Sequence, residues 1–414
     1  MLFTEISKIS ATEILDSRGN PTVLCKVTLS GGATGSASVP SGASTGKHEA
    51  CELRDGGTRY GGRGVLEVCK KLESELSEKL CGNDAANQKL IDGILLRADG
   101  TPKKSVFGAN SLLAVSLACA RASANAYSLP LYRYLGGIYG CRMPIPMMNV
   151  INGGAHADNG LDIQEFMLVP VGAKSLHDGV MVCAEIYSHL RALLKKDGFG
   201  TGVGDEGGFA PNLRSDEEAL EYLCKAIESA GYNTENVKLA LDAAAGEWES
   251  GSSYKMRKSG NTLSAEELIC KFRKLCQSYP IISIEDPVGQ DDISAWRNIT
   301  HEMGESTLLV GDDLFVTDAH RISTLTSDKC ASAVLIKPNQ CGTLSETIAA
   351  MHVAKKAGYK TIVSHRSGDT CDSFISDLAV ASCADFIKAG APARGERTAK
   401  YNRLLEIEKE SCFL

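Results

Sequence analysis

Ile281-Ile-Ser-Ile-Glu285 is a short apolar, β-branched run that ends on an acid, the pattern of a buried strand whose last residue emerges into a polar place. Five other runs share its form: Lys238-Leu-Ala-Leu-Asp242, Leu308-Leu-Val-Gly-Asp312, Val334-Leu-Ile-Lys337, Thr361-Ile-Val-Ser-His365 and Asp385-Phe-Ile-Lys388. In chain order the end residues lie 43, 27, 25, 28 and 23 positions apart, mostly the length of one strand, one helix and their loops. The pairs Ser215…Glu218, Ser264…Glu267 and Thr343…Glu346 predict capping boxes at helix starts between the runs. Gly231 and Gly358 predict helix stops. Regular alternation of strand and helix demands a parallel sheet. Strand candidates at 146–151 and 164–169 raise the count to eight, which fits a closed TIM-type α/β barrel. An open doubly wound sheet is the alternative.

Upstream the pattern changes. Residues 6–15 and 22–29 read as strands separated by the turn Asp16-Ser-Arg-Gly-Asn-Pro21. The small residues of Pro40-Ser-Gly-Ala-Ser-Thr-Gly46 read as a mobile loop, and helical patterns follow at 64–80 and 109–126. The Pro/Gly-bearing segment 129–146 is the expected boundary, giving a smaller α+β domain at 1–135 and a barrel at 136–414.

Composition bounds what such a chain does. Its 414 residues exceed one ordinary core, and 43% hydrophobic with 23% charged residues is the mix of a globular protein. A net charge of −7 gives no reason to expect nucleic acid as the primary partner. The most apolar long stretch, 106–126, carries Asn110, Arg121 and Asn125, so it reads as a buried helix and no membrane association is expected. The first ten residues do not read as a secretory signal, and a cytoplasmic location follows as the expectation. None of the 15 cysteines forms a C-x-x-C pair, so they read as reduced thiols filling small apolar spaces.

Barrel enzymes keep their reactive groups at the C-terminal strand ends, which here read Asp, Glu, Asp, Lys, His, Lys. A single charged strand end is usually just solvated; six in succession call for a common purpose. Asp242, Glu285 and Asp312 offer oxygen ligands from three consecutive runs, a set suited to Mg²⁺ before Zn²⁺. The bland reading pairs these acids with neighbouring lysines, but three crowded carboxylates repel unless a multivalent cation offsets them. Lys337, on the next run, is expected to have its pKa lowered by that cation and to serve as a base. His365-Arg366-Ser367-Gly368 resembles an anion clamp. Gly202-Val-Gly-Asp-Glu-Gly207 matches a dinucleotide fingerprint, but no strand precedes it and no helix opens after it. It reads instead as a loop presenting Asp205 and Glu206.

Together, Val39-Pro-Ser-Gly-Ala-Ser-Thr-Gly46, Asn152-Gly-Gly-Ala-His156, Asp162-Ile-Gln-Glu-Phe-Met167, Gly204-Asp-Glu-Gly-Gly-Phe-Ala-Pro211, Ser283-Ile-Glu-Asp286, Gly311-Asp-Asp313, Ile336-Lys-Pro-Asn-Gln340 and Ser364-His-Arg-Ser-Gly368 resemble the enolase family, in order and at its spacing, and most closely its bacterial type. The resemblance spans nearly the whole chain. It implies a ββαα(βα)6 barrel behind an α+β domain and reversible dehydration of 2-phosphoglycerate to phosphoenolpyruvate. It also implies two Mg²⁺ per active site and a homodimer or higher homo-oligomer. By motif match Asp242, Glu285 and Asp312 would hold one Mg²⁺ and Ser44 would help bind the second. Lys337 would take the C2 proton and Glu206, supported by Glu165 beside Gln164, would help the C3 hydroxyl leave. His156 would sit on a closing loop, Arg366 and Ser367 would hold phosphate, and Lys388 and His365 would contact the rest of the substrate. Pro338 and Cys341 depart from the aliphatic residues many enolases carry beside the base. The Cys412-Phe413-Leu414 end lacks the terminal lysine of some surface-displayed members. A racemase or cycloisomerase of the same superfamily is the nearest rival, and a non-catalytic structural or scaffold role the rival from another class.

Overall fold

The computed structural model describes residues 2–42, 46–138 and 142–411. Its N-terminal part is a three-stranded antiparallel meander: β1 (Ile6–Leu15), β2 (Pro21–Leu29) and β3 (Thr34–Ser38). Asp16 closes the first turn, its Oδ1 accepting from the backbone N–H of Arg18 and Asn20 at 2.8 Å each. Gly19 supplies the left-handed residue there, with φ 75°. The 64–80 pattern folds as a helical run interrupted by a π turn at Leu72–Leu76. Helix Ala109–Ala126 is buried along nearly its whole circumference and packs against β2 and β3. Its approach is close because Gly35 on β3 has no side chain. A Cβ there would lie 2.2 Å from the Ala122 nitrogen and 2.4 Å from the Ala118 carbonyl.

The remainder closes into an eight-stranded barrel. Its strands are β4 (Ile145–Asn152), β5 (Glu165–Val169), β6 (Lys238–Asp242), β7 (Ile281–Glu285), β8 (Leu308–Gly311), β9 (Ala333–Ile336), β10 (Lys360–Ser364) and β11 (Phe386–Lys388). The open-sheet alternative is thereby removed. A wholly parallel barrel is also corrected, because β5 runs antiparallel to both β4 and β6. Only a single 3₁₀ turn, Gly154–His156, stands between β4 and β5, too little chain for a crossover. Helices Leu176–Lys196 and Asp216–Ser229 then follow in succession, the ββαα start that the family resemblance implies. The reversal carries Gln164 and Glu165 to the barrel mouth, with Glu165 in register opposite both Asn152 and Asp242. Inside, Met147, Met167, Val169, Ala240, Val310, Leu335 and Ile362 fill the barrel as a packed plug.

The predicted helix ends are mostly in place. Ser264 and Glu267 form a complete capping box. Ser215 and Thr343 cap their helices as expected, but neither box is complete: Glu218 accepts from the Arg214 N–H at 2.6 Å, and Glu346 accepts from the Thr343 hydroxyl at 2.8 Å while pairing with Lys104 at 3.0 Å. Gly231 and Gly358 adopt left-handed φ of 84° and 81°. No helix among the described residues is long and apolar enough to cross a membrane. Gly35→Ala is expected to destabilise the chain by about 1–3 kcal/mol through overpacking against helix backbone. The check is the urea midpoint; an unchanged midpoint would mean that the helix is not seated on β3 as described.

Candidate active site

A cavity of about 260 Å³ opens at the barrel mouth. It is lined by His156, Gln164, Glu165, Glu206, Asp242, Asp312, Lys337, His365, Arg366, Ser367 and Lys388, with Glu285 immediately behind Lys388. All the described site residues expected from the sequence therefore converge on one place, while Ser44 lies outside the described residues. The chain leaves two of these strands through strained turns, with left-handed φ at Ala244 (46°) and Asp286 (39°). Asp286 accepts from the Asp312 and Asp313 backbone N–H groups at 2.9 Å each, fixing the direction in which Asp312 emerges.

Lys388 is the hub. Its Nζ stands 2.8 Å from Glu285, 3.1 Å from Asp242 and 3.2 Å from Glu165, all buried. Burial alone would lower its pKa, but Asp242, Glu165 and Glu285 outweigh that and hold the ammonium well above its ordinary range. One lysine does not neutralise the cluster. Burial first, then the Asp242 charge, pushes Glu285 up to about 8. The acids are thus paired with lysines, as the bland reading has it, and are still crowded. The groups of acids and histidines whose ligand atoms all lie within 4.8 Å of one another among the described residues are Asp286 with Asp312 and Asp313, and His156 with Glu165 and Glu206; Asp242, Glu285 and Asp312 do not form such a group. A set of hard oxygen donors with surplus negative charge fits a divalent cation such as Mg²⁺.

The lowering expected at Lys337 is tied to a neighbouring cation; among the protein groups alone the balance runs the other way. Burial lowers the lysine pKa, yet the ion pair with Asp312 more than offsets this and the net shift is upward. The reason is local: Asp312 gives one oxygen to Lys337 and the other to Gln340, at 2.9 Å. A lowered pKa requires that Asp312 be engaged elsewhere.

Across the cavity, burial and the neighbouring Glu206 charge raise Glu165 well above the carboxylate range. Glu206 moves the other way, because His156, His365 and Arg397 outweigh its burial, and Asn149 donates to its Oε2 at 3.0 Å. His365 itself is pushed down to about 4 by burial, helped by Arg397. Its ring is therefore neutral near pH 7, and its hold on Glu206 is that of an N–H dipole. Two neighbouring carboxyls with opposed shifts divide the proton unequally, and here it belongs to Glu165.

Residues 140–412 match the family described as enolase, C-terminal TIM barrel domain, and residues 6–135 match the enolase N-terminal domain. The chain is 51% identical over 409 residues to the enolase of a Nitratiruptor species, covering 99% of this chain and 97% of that protein. It is 50% identical over 406 residues to the enolase of Natranaerobius thermophilus, covering 98% and 95%. The chain belongs to the enolase family.

The anion-binding end expected of an enolase is occupied from within. Arg366 makes a buried two-pronged ion pair with Glu49, at 3.0 and 3.2 Å, and donates to Asn339 at 3.1 Å. Glu49 was not foreseen from the sequence, although it follows the loop ending at Gly46 and also accepts from the Gly46 N–H at 3.1 Å. Arg397 was missed as well. It lies in the last helix, Gly395–Ser411, and nothing in its spacing marks it.

The Glu285 shift fixes a sign for the dependence of stability on pH. A carboxyl near 8 when folded and near 4.5 when unfolded binds more proton in the native state between those values. Its contribution to stability is full below about 4.5 and is lost as pH rises through about 8. Denaturation midpoints in EDTA should therefore fall across that window. Adding Mg²⁺ near pH 7 should release protons, read by calorimetry in buffers of different ionisation enthalpy. A flat midpoint and a proton-neutral titration would refute the crowding.

Proposed function

We propose that the chain catalyses the Mg²⁺-dependent interconversion of 2-phosphoglycerate and phosphoenolpyruvate. The observation that carries this reading is the gathering of Lys337, Lys388, Glu165 and Glu206 around one cavity, with Lys388 paired to Glu165 and Lys337 paired to Asp312. Two Mg²⁺, held by Asp242, Glu285 and Asp312 and, for the second, Ser44, would supply positive charge against the dianion that builds when the C2 proton leaves. Lys337 would be the base for that proton, freed for the task once Asp312 no longer stabilises its ammonium. Lys388, which stays charged, would face the substrate carboxylate, with His365 beside it. Glu206 would give a proton to the departing C3 hydroxyl, drawing on the proton that Glu165 keeps, while His156 and Gln164 border the same end. Arg366 and Ser367 would hold the phosphate, which then replaces Glu49 as the partner of Arg366. The reading carries with it a division at residue 135, a homodimer or larger homo-oligomer, a place in glycolysis and gluconeogenesis, and a cytoplasmic location.

Absorbance-monitored phosphoenolpyruvate formation from 2-phosphoglycerate, with and without EDTA, tests the proposal. Activity should appear with Mg²⁺ and vanish with the chelator; no turnover with Mg²⁺ would overturn it. Removal of a positioned base or acid typically costs ~10²–10⁴-fold in rate. Lys337→Ala should therefore nearly abolish solvent exchange of the C2 proton. Glu206→Gln should block turnover yet leave exchange running. Equal loss of exchange in both variants would show the two roles to be wrongly assigned.

A further inference from the structure

The Arg397 guanidinium is fully buried and ties together two segments of the site. Its Nη1 donates to Nδ1 of His365 at 2.5 Å and to the Arg366 carbonyl at 2.7 Å. Its Nη2 donates to the Ser367 carbonyl at 2.6 Å and to the Asp205 carbonyl at 3.0 Å. One side chain thus clasps residues 365–367 to the loop that carries Glu206. Its charge is balanced at a distance by Glu396, 3.3 Å from Nε, and by Asp369, 3.8 Å from Nη1.

The contact with His365 has a chemical consequence. Arginine offers donors only, so Nδ1 of His365 must be the acceptor in this bond. A neutral imidazole that accepts at Nδ1 carries its proton on Nε2. That nitrogen is buried, lies 3.6 Å from Oε2 of Glu206, and has no hydrogen-bond partner among the described residues. The opposite tautomer would press an N–H against a guanidinium and leave Glu206 facing a lone pair.

We infer that Arg397 is a positioning residue that fixes His365 as the Nε2–H tautomer and aims that proton at Glu206. In that state His365 steadies the ionised carboxylate, or a substrate oxygen beside it, as a donor. It cannot store the Glu206 proton, because the nitrogen facing Glu206 is already protonated. The groups facing the ring are Glu206, Asp369 and Arg397, and burial disfavours its doubly protonated form. The importance for turnover rests on the role proposed for Glu206; the tautomer does not.

Nitrogen-15 NMR of the full chain labelled at histidine decides the matter, with the His365 signals assigned by their loss in His365→Asn. The intact chain at pH 7 should show a directly bonded proton on Nε2 and a bare, hydrogen-bonded Nδ1. Arg397→Met should convert the ring to a mixture containing Nδ1–H. Its kcat should fall by about 10- to 100-fold, as expected for a misplaced group, with a smaller change in KM. Arg397→Lys, which keeps the charge but not the planar fork, should fall between the two. A proton on Nδ1 in the intact chain would overturn the inference, as would a folded Arg397→Met variant with an unchanged spectrum. Should Arg397→Met not fold, the spectrum of the intact chain still decides. An intact chain inactive on 2-phosphoglycerate would sink the proposed reaction without touching the tautomer.

Discussion

The barrel mouth depends on one buried ammonium. Lys388 ends β11 and meets carboxylates from β5, β6 and β7, so a single charge closes the ring on the side where its first and last strands meet. Removing one partner from a buried ion pair leaves an uncompensated charge and typically costs about 3–5 kcal/mol. Here a single lysine serves three acids, and the excess negative charge it leaves unanswered is what makes the cavity receptive to a divalent cation. The antiparallel β5 matters for the same reason. Had it run parallel, Glu165 would sit at the far end of the barrel and Lys388 would lack its third carboxylate.

Where the fold was legible in the sequence, the signal was physical redundancy. Six strand ends in a row repeated one pattern, and each repeat strengthened the others. Helix 109–126 could be read because a long apolar stretch broken by Asn and Arg suits a buried helix better than a membrane span. The strand Thr34–Ser38 escaped because Thr-Gly-Ser-Ala-Ser offers neither alternation of bulk nor a run of β-branched residues. Its identity comes from tertiary contact: Gly35 is required by the helix lying on it, a constraint invisible along the chain. Helix Gln88–Asp99 was overlooked although Asn87 caps it. The direction of β5 was beyond residue-level reading too, since polarity is set by the short link after β4 and not by the strand itself.

The candidate site shows a similar division. Acids and lysines at strand ends announce themselves because a charge at the end of an apolar run is unusual. Arg397 and Glu49 do not, because an Arg in a helix and a Glu after a loop are ordinary. Both become unusual only when burial is known. The protonation of Lys337 could not be read either. Its sign depends on which partner Asp312 has, and that belongs to an occupancy and not to a sequence.

The cations of this site share one property. Lys388 is held by three acids, Lys337 by Asp312, and Arg366 by Glu49. None of them waits as a bare charge for a ligand, which would be expensive to bury. Binding an anion together with a divalent cation is then an exchange of partners. On the proposed reading an incoming cation would take carboxylates from the lysines, and the anion would take the place of Glu49 on Arg366. Such an exchange keeps each charge paired while it is dry, so the chain need not desolvate a lone ion at any stage. On that reading it would also couple the two events, because Lys337 would become available as a base only once Asp312 no longer pairs with it. Selectivity would follow from the same coupling: an anion arriving without a cation would find its donors engaged, and a cation arriving alone would leave the released ammoniums unanswered.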